Sequence, residues 1–235
     1  IMEEKKLVDL AQHTSTQYSS ELQSIKNHVL EMGGLVEKHI NDALDAFVLG
    51  NTELAKDISQ SDYQVNSLEV QIDEECNTLL ALRQPVSSDL RFVIATVKTI
   101  TDLERIGDEA ERIARLGTKN RKENISRAQL RIISNLGEHV SSMLHDALDA
   151  YTRQDSEEAK RVVAEDELVD ETYEAGMREL LTYMIEDPAN IKGILDVIWC
   201  ARGLERIGDH AKNICEYVLF MVHGKDVRHT SHEER

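Results

Sequence analysis

The chain has 235 residues, a formal net charge of −17, two prolines, eleven glycines and 4% aromatic side chains. So little turn and strand material predicts an all-α protein. The acidic balance argues against nucleic acid and anionic membrane surfaces, both of which are bound by clustered Lys and Arg. It allows a solvated bundle surface or the binding of cations. Cys76, Cys200 and Cys215 form no C-x-x-C pair and read as reduced core thiols of a cytoplasmic protein. No apolar h-region follows the charged segment 2–6, and runs such as 218–222 fall far short of the roughly 20 residues that span a bilayer.

Residues 2–15 are polar and are expected to be loosely held. From Tyr18 the positions Leu22, Ile25, Val29, Met32, Val36, Ala43 and Phe47 recur at helical spacing and predict a first helix ending near Leu49. Asn51 and Thr52 can cap a second helix, whose stripe is Leu54, Ile58, Val65, Leu68, Ile72 and Leu79. Arg83-Gln84-Pro85 makes the turn, because proline disfavours helix in the residue before it. Ser87 or Ser88 then starts a third helix that runs to about Gly117. Helices of about 30 residues joined so tightly must fold back as an antiparallel three-helix bundle.

Thr118 to Ile125 reads as a basic, non-periodic linker, after which the pattern begins again. Asp42-Ala43-Leu44-Asp45-Ala46-Phe47 is answered by Asp146-Ala147-Leu148-Asp149-Ala150-Tyr151 at an offset of 104. Pro85 is answered by Pro188, and Leu-Glu-Arg-Ile-Gly-Asp at 103–108 returns at 204–209. The expected organisation is therefore a first bundle over 16–117, a linker over 118–125 and a second bundle over 126–223. A tail over 224–235 follows. The second set of helices is predicted near 126–152, 156–186 and 190–223. Two copies of this length are a duplicated domain and not a solenoid.

In each copy of the hexapeptide the two acids, Glu104 and Asp108 or Glu205 and Asp209, are four residues apart and share a helix face. Leu103, Ile106, Ala110 and Ile113 form a separate apolar stripe, repeated by Leu204, Ile207, Ala211 and Ile214. Gly107 and Gly208 cost roughly 1 kcal/mol each relative to alanine in mid-helix, which predicts a close approach there. A hairpin centred on Pro85 sets Asp62 opposite Asp108 and Asn66 opposite Glu104. One centred at Pro188 sets Asp166 opposite Asp209 and Asp170 opposite Glu205.

Four oxygen-bearing side chains at one level repel unless a cation intervenes, and hard metals take oxygen ligands from facing bundle helices. The competing reading is a solvated acidic face with Arg105, Arg112 and Arg206 as ion-pair partners. A ferritin-like di-iron site needs Glu-x-x-His, which neither hexapeptide supplies, since Gly107 and Gly208 stand at the fourth position. His210 points about 100° away from Asp209. His28, His39, His139 and His145 share no ligand spacing and read as surface or boundary residues. Trp199 and the cysteines are expected in the core. Phosphate loops of the G-x-x-x-x-G-K-[ST] type and nucleophile elbows are absent from the sequence.

The doubled Leu-Glu-Arg-Ile-Gly-Asp resembles the PhoU family. So do Arg83-Gln84-Pro85 with Asp89-Leu90-Arg91, and Leu181-Thr182-Tyr183-Met184 before Glu186-Asp187-Pro188. The resemblance covers about 16–229. It implies two tandem three-helix bundles related by pseudo-twofold symmetry, in a cytoplasmic homodimer that is not an enzyme. The implied role is negative regulation of phosphate uptake and of the phosphate regulon. Its implied partners are the phosphate ABC transporter with its ATPase and the sensor histidine kinase of the regulon, so membrane contact comes only through partner proteins. Some members carry iron clusters or other metals on an acid, three residues, then Asp. That motif lands on Glu104–Asp108, Glu205–Asp209 and Asp166–Asp170, while Asn66 replaces the second acid beside Asp62. The metal is left open between iron, manganese, magnesium and zinc, and the site with Asn66 is expected to be the weaker. A metal-dependent helical enzyme and a metal-free helical scaffold are the alternative readings.

Overall fold

Asn51 has extended backbone and accepts hydrogen bonds from the amides of Glu53 and Leu54, so α2 (Thr52–Arg83) starts directly after α1 (Met2–Leu49). In this computed structural model the described residues are 2–119 and 125–225, with side chains from 16 to 118 and from 125 to 225. At the end of α2, Gln84 turns left-handed at φ 48°, and α3 (Ser87–Lys119) begins just beyond Pro85. Ser126 and Gln129 form a reciprocal capping box that opens α4 (Arg127–Arg153). Asp155 caps α5 (Ser156–Glu186), and a 3-10 turn, Pro188–Asn190, leads into α6 (Ile191–His223). The predicted boundaries of α2, α5 and α6 hold to within a residue or two.

Three expectations need correction. α1 begins at Met2, so the helix expected from Tyr18 also takes in the segment 2–15. It escaped the sequence reading because the apolar positions taken to mark the helix were followed only from Tyr18 onward. Thr118 and Lys119 belong to α3 and not to the linker; most of that linker (120–124) and the tail beyond Lys225 lie outside the described residues. Trp199 is 52% exposed, because the buried stripe of α6 runs through Val197, Cys200, Leu204 and Ile207 and leaves the indole off that face. Cys76, Cys200 and Cys215 are free and buried, as expected.

α1, α2 and α3 pack mutually, as do α4, α5 and α6, so each bundle closes around its own apolar stripe. The bundles then join through α3 against α6 and α1 against α4. α3 and α6 run antiparallel. Arg91 Nε donates to the Met221 carbonyl at 3.0 Å near one end, and Asp102 meets His210 at 2.6 Å further along. Between α1 and α4 the contact is reciprocal. Gly33 makes room for Leu148, and Gly137, its equivalent in the repeat, makes room for Leu44. A pseudo-twofold axis relates these two contacts.

Gly107 and Gly208 do not supply the close approach that their cost predicted. A Cβ on Gly107 would stand 3.5 Å from Val65, and one on Gly208 3.4 Å from Val169, which is ordinary van der Waals contact. Gly117 is where backbone closes in: a Cβ would lie 2.6 Å from the Phe47 Cα and 2.7 Å from the Ala46 carbonyl.

Candidate functional site: two acidic clusters on the hairpins

The same helical face that buries Leu103, Ile106 and Ile113 leaves Glu104 and Asp108 on its flank, turned toward α2. There Asp62 receives the Asn66 side-chain amide at 3.2 Å. Burial raises the pKa of Asp62, and the charges of Asp108 and Glu111 raise it further. Glu104 is raised by burial and then by Asp108, Glu69 and Asp62. Glu111 adds another acid, held by the Ser59 hydroxyl at 2.6 Å and by Arg115 at 3.2 Å. The structure therefore brings Asp62, Glu104 and Asp108 into one electrostatic group and adds Glu69 and Glu111, which the sequence reading missed. Both follow on faces already identified: Glu69 lies seven residues after Asp62 and Glu111 three after Asp108.

His39 of α1 also borders this group. It is 2% exposed, with Nε2 at 2.8 Å from the Ser61 hydroxyl and Nδ1 buried without a partner. Ser61 gives its own proton to the Asp57 carbonyl at 2.8 Å. With the hydroxyl proton on that carbonyl, the neutral ring donates from Nε2 and leaves Nδ1 unprotonated. Burial lowers the pKa of His39 against the opposing charge of Asp62. It is thus neither a surface residue nor a fully satisfied boundary residue.

The second cluster is built the same way but filled differently. Asp166, 2% exposed, meets Lys212 Nζ at 2.5 Å. Burial opposes the charge on Lys212, but Asp166, Glu216 and Asp209 together raise its pKa above the ordinary lysine value. Glu205 binds Arg202 through Oε1 at 2.7 Å, and its Oε2 is buried without a partner. Burial raises the pKa of Asp209, with Asp166 and Asp170 adding to it. Burial likewise raises that of Glu205, followed by Asp209, and that of Asp170, followed by Asp166.

In both clusters the carboxylates are neighbours and not a formed ligand shell. As placed, no three His, Cys, Asp or Glu side chains among the described residues converge closely enough to hold one ion. Like charges turn apart when nothing positive lies between them. The donor set of the first cluster, carboxylates with one side-chain amide, nevertheless has the chemistry that hard cations take. Of the three arginines offered as ion-pair partners, Arg105 does act on Glu104 and Glu69, its charge opposing the rise in their pKa values, while the other two behave differently from that reading. Arg206 and Arg112 turn to buried Glu109, at 2.5 and 3.6 Å, and not to the hexapeptide acids.

Glu109 and the Asp102–His210 pair lie on the α3–α6 seam, opposite the acidic clusters. Asn213 also reaches Asp102, at 3.4 Å. Glu109 is the repeat equivalent of His210, and Asp102 that of Gly203. Gly203 packs against Ile113, whose Cγ1 would lie 3.1 Å from a Cβ there, with Glu109 Oε2 in ordinary contact at 3.4 Å. These seam residues were legible as acids seven apart on the apolar side of α3, but their partners belong to the other bundle.

Residues 29–117 and 133–218 each match the PhoU domain family. The chain belongs to the PhoU family. It is 47% identical over 220 residues to a phosphate-specific transport system accessory protein PhoU homolog of Pseudomonas putida, covering 94% of this chain and 86% of that protein. It is 44% identical over 227 residues to the accessory protein PhoU of Escherichia coli K12, covering 97% and 94%. The crystal structure of PhoU from Pseudomonas aeruginosa superimposes with a TM-score of 0.85 at 45% identity, over 88% of this chain and all of that one. The phosphate transport system regulatory protein PhoU from Streptococcus pneumoniae gives 0.83 at 30% identity, over 89% and 99%. The tandem pair of PhoU domains is thus the duplication that the repeated hexapeptide announces. No helix among the described residues is long and apolar enough to cross a membrane.

Proposed function

We propose that this chain is a cytoplasmic accessory regulator of phosphate-specific transport. In this reading it is an adaptor and not an enzyme. It links the phosphate ABC transporter, through its ATPase, to the sensor histidine kinase of the phosphate regulon, and it holds the regulon down when phosphate is plentiful. A homodimer is the expected working form. The observation that carries the reading is similarity along nearly the whole chain to proteins named as accessory to that transport system. Deletion of the gene should leave phosphate-regulon genes expressed in phosphate-rich medium, measured with a reporter fusion. The purified chain should bind the cytoplasmic part of the kinase without DNA. Normal repression in the deletion strain, with no binding to kinase or transporter, would leave only the scaffold reading.

Carboxylate metal sites are expected from the sequence on both bundles, and the proposal keeps the one on the first. A bound divalent or trivalent ion would screen the repulsion among acids that burial has already made costly. In the first bundle Asp62, Glu104 and Asp108 are the expected carboxylate ligands, with the Asn66 amide oxygen beside them. In the second, Asp166, Asp170, Glu205 and Asp209 form the corresponding set, but Lys212 and Arg202 stand among them. Manganese, iron, magnesium and zinc are all compatible with such donors, and elemental analysis of the purified protein distinguishes them.

A further inference from the structure

Three differences between the two acidic clusters bring a cation into the second or take an acid out of it. Where the first bundle has Thr101, Glu111 and Glu69, the second has Arg202, Lys212 and Tyr173. Each change makes the second cluster less negative; Asn66 against Asp170 goes the other way, and so does Arg115, which pairs Glu111 in the first bundle, against Glu216 beside Lys212 in the second. The largest difference is Glu111 against Lys212, which reverses a charge at equivalent places on α3 and α6.

Lys212 does not simply lie near the acids. Its ammonium sits on Asp166, the most deeply buried of the eight candidate ligands, and that contact crosses from α6 to α5. A metal entering there would have to displace a cation tethered to the same chain and would bring positive charge beside it. Asp166 would meanwhile lose a charge-assisted bond in a buried place. Arg202 occupies Glu205 Oε1 in the same way, and its guanidinium also lies 6.0 Å from the Tyr173 ring centroid. The second cluster therefore does not fit a metal as the first does.

We propose that Lys212 is a built-in counter-cation which takes the place of a metal in the second bundle, so that metal binding is confined to the first. This reverses the order that Asn66 alone suggested, and it rests on the metal reading of the first cluster proposed above. A substituted ammonium neutralises a buried carboxylate permanently, whereas a metal can come and go. The duplicated chain would then respond to cations with one half and remain locked in the other.

Titration of the full-length, metal-stripped protein with Mn2+, with the free ion followed by electron paramagnetic resonance, tests the assignment. In the wild type, E205Q/D209N should leave Mn2+ binding unchanged. Lys212→Gln should add about one Mn2+ ion per chain, with affinity at the second cluster rising about tenfold or more. That gain should vanish in K212Q/E205Q/D209N. In EDTA, K212Q should lower the melting temperature, and adding D166N should recover much of the loss, since it removes the carboxylate left unpaired. Glu111→Lys should do the reverse in the first bundle and reduce Mn2+ binding there. The assignment is overturned if K212Q gains no Mn2+, or if the wild type loses Mn2+ on E205Q/D209N. Failure of the first-cluster reading looks different: E104Q/D108N would then leave wild-type Mn2+ binding untouched, whatever K212Q does.

Discussion

Gly107 and Gly208 stand at the centre of the doubled hexapeptide, yet their surroundings would accept a methyl group. At 3.5 Å from Val65, a Cβ on Gly107 makes a contact and not a clash. Gly107→Ala should therefore stabilise the protein by about 0.5–1 kcal/mol, through helix propensity and a less flexible unfolded chain. Gly117→Ala should act in the opposite sense and cost about 2–3 kcal/mol, because the new methyl meets backbone atoms of Phe47 and Ala46 that cannot move aside. Urea denaturation of the two variants checks both signs, and a stabilised Gly117→Ala would show that α1 can shift away. The glycines were visible in the sequence, but their roles were not, because a glycine's role depends on what packs over it. Lys212 shows the same limit. Its spacing from Asp209 was readable, whereas its choice of Asp166 across the hairpin depends on side-chain geometry.

Helix pairs set the electrostatics, and the pH dependence belongs to this scale. Asp62, Glu69 and Glu104 in one hairpin, and Asp170, Glu205 and Asp209 in the other, all have pKa values raised by burial and by neighbouring acids. A carboxyl raised in the folded state binds more protons there than in the unfolded chain. Stability therefore falls as pH rises through the interval between the ordinary carboxylate value and the raised one. Glu21 and Glu158 are lowered by hydrogen bonds from Arg83 and Arg161 and act in the opposite sense, but both pairs lie near the solvent, where such effects are screened. Burial lowers the pKa of His39, which therefore acts in the opposite sense below about pH 6.5. In a His39→Gln background the metal-free protein should thus melt at a higher temperature near about pH 4.5 than near about pH 7.5. Added Mn2+ should shrink that difference by favouring the ionised acids. A metal-free melting temperature that falls on acidification over this range would mean the clusters are relaxed and well solvated. At this scale most of the architecture was legible. Apolar stripes, Asn51 and the two prolines set helix number, turns and hairpin register, because each is a local rule. The 2–15 stretch of α1 was not, since Leu7, Val8, Leu10 and Ala11 are too short a run among polar residues to mark a helix by themselves.

The two bundles share one continuous core, and the seam between them is polar at its middle, where α3 and α6 enclose the Asp102–His210 pair and Glu109, which Arg206 reaches from the solvent side. Nothing within one repeat could reveal that seam, because each repeat explains its own stripe without reference to the other. The repeat does, however, predict its symmetry once one contact is known, as the exchange of Leu148 over Gly33 for Leu44 over Gly137 illustrates. If the seam couples the halves, the chain should unfold in one calorimetric transition with calorimetric and van't Hoff enthalpies in agreement. Glu109→Lys would place a third cation beside Arg206 and Arg112 in a buried position, at a cost of about 3–5 kcal/mol. Each bundle keeps its own stripe in that variant, so helix content at room temperature should survive. The single transition should instead divide into two, with the calorimetric enthalpy exceeding the van't Hoff value. One sharp transition at the wild-type temperature would mean that Glu109 and its arginines contribute little to holding the halves together. The coupling would then rest on the apolar contacts of α1 with α4 and on the remainder of the α3–α6 seam.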